Sequence, residues 1–323
     1  MKWSTKIIEL LGCKYPILEG AYAKQGGWKF AAAVAEAGGH GLITATVART
    51  PEKLREYIRR CRDATDGTFG VNLSIGICPQ VEAMLEVCLE EQVPVETAVY
   101  KPDLLAPRIK ESGVRWIHKT ARIKEALHAE KLGVDAVIIV GLEGTGFKQA
   151  GQLPTMLTIL QAKRELKIPF IAAGGIGDAR GFLGAMAMGA DGIMMGTAFM
   201  ATTEFPLPVR AKEAIVRASP YDPGIYHRVL GSVDPQAYEE VMRLQNQYSV
   251  EEWLPMLARV HYKDPDWKNT KYRRTSAQEI EQLIIVSLAA GVIDRISPVR
   301  EFIDSMVRGA EELFNGREFL KQG

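Results

Sequence analysis

The sequence predicts an α/β fold, a closed (β/α)8 (TIM) barrel with a smaller helical lid domain. Two observations predict it. Eight short β-rich runs recur between residues 15 and 200, most of them nearly continuous apolar runs, as expected when both faces of a parallel strand are covered. Amphipathic helical segments separate these runs, which is the alternation of a crossover architecture. The 323 residues are also enough to remove roughly three quarters of the unfolded surface from water, without a disulfide or metal staple. An open doubly wound sheet, which uses the same alternation with fewer strands, is the runner-up.

In chain order the strand candidates are YPILE (15–19), GLITA (41–45), GVNLS (70–74) and PVETA (94–98). RWIHK (115–119), DAVIIV (135–140), PFIAA (169–173) and DGIMM (191–195) follow. Between them lie WKFAAAVAEAG, PEKLREYIRRCRD, VEAMLEVCLEE, DLLAPRIKES, RIKEALHAEKLG, PTMLTILQAKREL and ARGFLGAMAMG, all with helical patterning. Pro51 marks a helix start, and Gly38, Gly133 and Gly189 mark helix ends.

After residue 201 the texture changes. Residues 205–290 lose the strand alternation and become helical and polar, with aromatic residues at Tyr221, Tyr226, Trp253, Tyr262, Trp267 and Tyr272. The helix candidates there are PLPVRAKEAIVRAS, PQAYEEVMRLQNQ, EEWLPMLARVH and SAQEIEQLIIVSLAAG. PVREFIDSMVRGAEELF (298–314) has clean helical spacing and is expected to dock back on the barrel. The expected division is a barrel over 1–204, a helical lid or substrate subdomain over 205–290, and a returning C-terminal helix within 291–323.

Composition excludes several function classes. Forty basic against 39 acidic residues leave a net charge of +1, which argues against a nucleic-acid binder that must displace counterions from phosphates. No CxxC pair or histidine–cysteine ladder accompanies the four cysteines, so reduced thiols are expected and a metal site is not. No apolar run approaches the roughly 20 residues that cross a bilayer, and MKWSTKIIELLGCKYPI lacks a small-residue cleavage site. A soluble, cytoplasmic protein without a membrane partner is the expectation. The helical lid leaves room for a homodimer.

In a barrel, the chemistry sits where strands end and helices begin. There the seventh strand runs into AAGGIG (172–177) and the eighth into MGTAF (195–199). Two adjacent glycine-bearing loops after the last two strands suit a phosphate, because backbone N–H groups without a Cβ can approach an anion closely. Thr197 could add a hydroxyl. A tight strand-to-helix turn is the alternative for Gly174 and Gly175. GGIGDARG lacks the GxGxxG spacing of a dinucleotide fingerprint.

An ordered set of motifs then carries a resemblance over residues 7–205. These are PILEGAY (16–22), AEAGGHGLI (35–43), FGVNL (69–73), HKT (118–120), EKLGVDAVIIVGLEGTG (130–146), IPFIAAGGIGD (168–178) and MGADGIMMGTAF (188–199). Together they resemble the FMN-dependent nitronate monooxygenase (2-nitropropane dioxygenase) family, which includes flavin enoyl-thioester reductases. The resemblance implies an FMN cofactor and leaves NAD(P)H open as electron donor. It implies that Gly20 and Ala21 border the isoalloxazine ring through backbone atoms, and that Asn72 hydrogen-bonds the flavin or its ribityl chain. Lys119 would lie near the pyrimidine side, Gly146 beside the cofactor, and Gly174, Gly175, Gly196 and Thr197 around the phosphate. A fixed positive charge near N1 and O2 stabilises a reduced anionic ring; a lysine snorkelling to water is the plainer reading of Lys119.

One position departs from the family. The resemblance implies a histidine beside the flavin after GLEGTG, and in the monooxygenases it takes the α-proton of neutral nitroalkanes. Here that residue is Phe147, followed by Lys148. A phenyl ring cannot accept a proton. Lys148 is a weak replacement, as are Glu143, Lys24 and Tyr22; His40 reads as a structural loop histidine and His118 as a satisfied core histidine.

Three functions therefore stand at the sequence level. The first is oxidation of a small anion such as a nitronate, stacked between Tyr22 and Phe147. The second is enoyl-thioester reduction or acyl-CoA dehydrogenation under a basic, aromatic lid (Arg210, Lys212, Tyr226, His227, Arg228). The third is a flavin-free phosphate-ligand barrel.

Overall fold

The computed structural model describes residues 2–22, 25–99, 101–146, 151–222, 225 and 286–316. Its eight described strands, β1 (Ile17–Glu19), β2 (His40–Thr44), β3 (Thr68–Ser74), β4 (Val95–Ala98), β5 (Trp116–Thr120), β6 (Ala136–Val140), β7 (Phe170–Ala173) and β8 (Gly192–Met195), close into a barrel in sequence order. All eight pairings are parallel, including β1 with β8. The chain is thus a (β/α)8 barrel, and the open sheet is excluded. Each strand lies within two residues of its expected position.

The helices are α1 (Lys6–Leu11), α2 (Trp28–Glu36), α3 (Ala45–Ala48), α4 (Pro51–Ala64), α5 (Val81–Glu90) and α6 (Ala106–Ser112). Then come α7 (Ile123–Leu132), α8 (Thr155–Glu165), α9 (Ala179–Ala187), α10 (Thr197–Met200), α11 (Val209–Arg217) and α12 (Val299–Asn315). Local chemistry explains several boundaries. Thr50 caps α4 through its hydroxyl with Pro51 at the first helical position, and Asp178 caps α9 by accepting from the Gly181 amide at 2.8 Å.

Two buried layers result from the two faces of the strands. Outward residues such as Ile43, Val71, Leu73, Val95, Val137 and Ile193 pack under the helices. Inward residues Leu18, Leu42, Ile117, Ile138, Ile171 and Met194 fill the barrel. Ile7 and Leu11 of α1, with Cys13, belong to this inner cluster, so α1 plugs the end opposite the strand C-termini. The sequence reading assigned no helix there.

The last helix takes the place left open after β8. α12 packs against both α9 and α2. Its first amide, at Val299, donates to Glu204 Oε2 at 3.0 Å, a carboxylate at a helix start, where the dipole favours it. Trp3 stacks on Phe182 of α9 at 4.8 Å and donates its Nε1 to Glu311 of α12 at 3.1 Å, joining the N-terminal segment to both helices. Within the expected lid range, α11 and a short 3-10 helix (Leu288–Val292) are described. Most of that range, with Tyr226, His227 and Arg228, lies outside the described residues, as do Lys24, Phe147 and Lys148.

Candidate active site

The strand C-termini bring the glycine loops together. Gly20 donates its amide to Met195 O at 2.8 Å, and a Cβ built on Gly20 would lie 3.1 Å from the Gly196 Cα. The segment assigned to the ring is therefore a direct neighbour of the segment assigned to the phosphate. On the other side of β8, Gly174 (φ +104°) and Gly175 (φ +74°) are consecutive residues in left-handed backbone, which strains any residue with a side chain. The amides of Gly174, Gly175, Gly196 and Thr197 find no acceptor among the described residues. Thr197 is buried and the three glycines are partly buried; main-chain donors shielded in this way are usually paired, and a phosphate would satisfy them.

The Thr197 hydroxyl has the right polarity for that role. Its oxygen accepts from the Ser287 amide at 2.9 Å and lies 2.9 Å from the Ser287 hydroxyl, which donates to it. With both lone pairs used, its proton remains to be given away. Ser287 lies in a stretch read only as part of a helix, so nothing in the sequence marked it as a partner of β8.

Inside the mouth a polar chain runs across three strands. Ser74 Oγ donates to Asn72 Oδ1 at 2.8 Å, Asn72 Nδ2 donates to Glu96 Oε1 at 3.0 Å, and Lys119 Nζ stands 3.8 Å from the same Glu96 oxygen. Alternation explains the grouping. Val71, Leu73 and Val95 face the helices, so Asn72 and Glu96 face inward, and Lys119 shares the inner face with Ile117, its Nζ 4.0 Å from Met194 Sδ. Burial pushes the Glu96 carboxyl above its ordinary range, while the Lys119 charge and the Asn72 bond pull it down without fully offsetting burial. Glu96 was not among the expected site residues. PVETA sets its two polar residues side by side, and nothing in it says which way residue 96 points.

The other described sequence candidates are engaged by protein partners, some of them away from the mouth. His118 is buried among the helices, its Nδ1 2.9 Å from Thr97 Oγ1, which also accepts from Trp116 Nε1 at 2.8 Å. Burial lowers His118 to about 4, so it is a neutral core histidine, as expected. His40 belongs to β2 and not to a loop; its Nδ1 sits 3.0 Å from Thr68 Oγ1, and burial lowers it to about 4. Glu143 Oε2 is taken by the Thr155 amide and hydroxyl, each at 2.7 Å. Lys212 is buried and donates to Thr203 O at 2.8 Å, so its ammonium does not face a ligand. Tyr22 is only 8% exposed: its hydroxyl donates to Gly196 O at 3.2 Å and its ring packs edge-on against Phe205 at 4.6 Å. It stands as a wall beside Gly196.

Glu19 is fully buried, with Oε2 accepting the Leu42 amide at 2.8 Å and Oε1 without a partner among the described residues; burial raises its carboxyl well above the usual range. Thr120 Oγ1, at the end of β5, and Gln152 Oε1, whose Nε2 donates to Val140 O at the end of β6, are also buried without partners among the described residues. All four thiols are buried, and burial pushes Cys13 up to about 11 and Cys61 and Cys78 to about 12. No group of three or more metal-ligating side chains occurs among the described residues, nor is any described helix long and apolar enough to cross a membrane.

Comparison with known proteins follows the same lines. A model of the nitronate monooxygenase family matches residues 4–91 and 79–309. The (3aS,4S,5R,7aS)-5-hydroxy-7a-methyl-1-oxo-octahydro-1H-indene-4-carboxyl-CoA dehydrogenase of Mycobacterium tuberculosis is 32% identical over 222 residues, 68% of this chain but only 61% of that protein's length. A probable nitronate monooxygenase of Staphylococcus saprophyticus is 27% identical over 296 residues, covering 78% of this chain and 83% of that one. The solved structure of FabK from Thermotoga maritima superposes with a TM-score of 0.74 at 31% identity, covering 97% of this chain and 98% of that chain. With its family model matching most of the sequence on a closed (β/α)8 barrel, the chain belongs to the nitronate monooxygenase family, whose members the sequence motifs resemble as FMN-dependent oxidoreductases.

Proposed function

We propose that this protein is an FMN-dependent oxidoreductase whose cofactor lies across the barrel mouth. The observation that carries the reading is the set of four amides on adjacent strand ends, at Gly174, Gly175, Gly196 and Thr197, that have no acceptor among the described residues. They fit the phosphate; the partly exposed Lys119 fits the pyrimidine edge, and Gly20 and Ala21 fit the ring through their backbone. When bound, FMN supplies reversible acceptance of a hydride or of electrons from a substrate stacked on its ring. The chain's own part is to hold the anion with main-chain donors, to present the Lys119 charge where negative charge develops, and to exclude water with the Tyr22–Phe205–Phe30 aromatic wall.

Two substrate classes have separate support. A nitronate arrives already deprotonated, so Phe147 in place of a base is no obstacle; the family model supports this reading. An acyl thioester is supported by the Mycobacterium tuberculosis relative, whose name is that of a carboxyl-CoA dehydrogenase. NAD(P)H as donor belongs to the reductase form of the second reading.

The test is anaerobic titration of the purified protein with nitronate, neutral nitroalkane, NADH, NADPH, acyl-CoA and enoyl-CoA, followed by flavin absorbance. Bleaching by nitronate alone selects the first class. Bleaching by acyl-CoA, or by a nicotinamide with reoxidation by enoyl-CoA, selects the second. A colourless protein that cannot be reconstituted with FMN overturns the proposal in favour of a flavin-free phosphate ligand.

A further inference from the structure

Beneath the partly exposed Lys119 lies a carboxylate that neither substrate reading uses. Glu96 has its side chain 4% exposed and Lys119 24%, so the ammonium reaches the mouth while its counter-charge stays below. Both donors near Glu96 converge on one oxygen: Asn72 Nδ2 at 3.0 Å and Lys119 Nζ at 3.8 Å. Asn72 is the register partner of Glu96 on β3, and Ser74 in turn holds the Asn72 carbonyl oxygen, so the carboxylate is oriented from one side and faces the lysine on the other. Two residues that the cofactor reading assigns to the flavin, Asn72 and Lys119, are thus tied to each other through a third.

We propose that Glu96 is a positioning residue that holds Lys119 and Asn72 in place and sets how much of the Lys119 charge reaches the cofactor. The inference rests on the flavin reading and names the regulation of that same site. An ionised Glu96 partly cancels the ammonium; a neutral one leaves the full positive charge to stabilise negative charge on the ring. Burial lifts the Glu96 carboxyl above its ordinary range, which brings its titration closer to working pH. The groups that face it are Lys119 from β5, Asn72 and Ser74 from β3, and the buried Glu19 from β1, whose own carboxyl is raised in part by Glu96.

The experiment is the midpoint potential of FMN bound to the full chain, measured against reference dyes from pH 5.5 to 9, in wild type, Glu96→Gln, Lys119→Met and the double variant. Glutamine keeps an oxygen for Asn72 and removes the charge. Expected for Glu96→Gln is a higher potential than wild type at alkaline pH, favouring reduction roughly tenfold, which is about 30 mV for a two-electron couple. The difference should vanish as the pH falls and wild-type Glu96 gains its proton. Lys119→Met should lower the potential and abolish the effect of Glu96→Gln in the double variant. Glu96→Asp, which retains the charge, should fall between wild type and Glu96→Gln, and it also serves if Glu96→Gln folds poorly. Bound FMN with equal potentials across the pH range would overturn the Glu96 assignment alone. Failure of the wild type to hold FMN would overturn the flavin reading, and this inference with it.

Discussion

Ser287 places both its amide and its hydroxyl 2.9 Å from the single hydroxyl oxygen of Thr197, joining the end of β8 to a segment 90 residues further along the chain. Replacing Thr197 with valine keeps the shape and removes the acceptor, leaving two buried donors unpaired. A stability loss of about 2–4 kcal/mol is expected, read as a lower urea midpoint at unchanged slope. Retention of FMN should fall as well, measured by flavin absorbance after dialysis.

Gly175→Ala separates binding from folding. The position needs φ +74°, and an added Cβ would meet only the Glu143 side chain at 3.0 Å. Left-handed backbone costs a residue with a Cβ roughly 1–2 kcal/mol, which a barrel of this size tolerates. The expected product is a folded protein, by circular dichroism, that emerges from purification largely colourless.

The outward triad of Trp116, Thr97 and His118 predicts a stability effect remote from the mouth. Thr97→Val strands both Trp116 Nε1 and His118 Nδ1 in a buried layer. A loss of about 2–4 kcal/mol in urea unfolding is expected, with the flavin spectrum unchanged.

Acid should weaken the fold through the two buried histidines. Each titrates near 6.5 when unfolded and near 4 when folded, so the unfolded chain binds more protons between those values and stability falls as pH drops through that window. The raised carboxyls of Glu19 and Glu96 act in the opposite sense, since the folded chain holds their protons above pH 4.5. Comparison with His118→Gln isolates the histidine part. Between pH 7 and pH 5 the wild type should lose about 2 kcal/mol more than the variant, measured by urea unfolding at both values.

Phe147→His tests the departure from the family directly. If the nitronate reading holds, the variant should gain turnover of neutral nitroalkanes while activity on preformed nitronates stays within a few-fold. Steady-state assays on the two substrate forms, adjusted to the same pH, give the comparison.

What was legible in the sequence follows from burial. Strands such as DAVIIV are apolar throughout because the barrel covers both faces, so their position was readable to within two residues. The same property hid their orientation: nothing in PVETA distinguishes inward Glu96 from outward Thr97, and HKT does not say that His118 and Lys119 point opposite ways. α1 was missed because a six-residue segment shows too little periodicity, although its Thr5 cap and Gly12 stop are conventional. The Gly174–Gly175 turn was readable because φ > 0 leaves few alternatives to glycine, whereas Gly196, at φ −107°, carries no such requirement. The aromatic packing of Tyr22 and the burial of Lys212 depend on Phe205 and Thr203, partners that local patterning cannot name.

The stopper formed by Ile7 and Leu11 closes the packed barrel where its strands begin. A cofactor and a reactant would therefore share the opposite rim, the reactant docking over a prosthetic group already seated there.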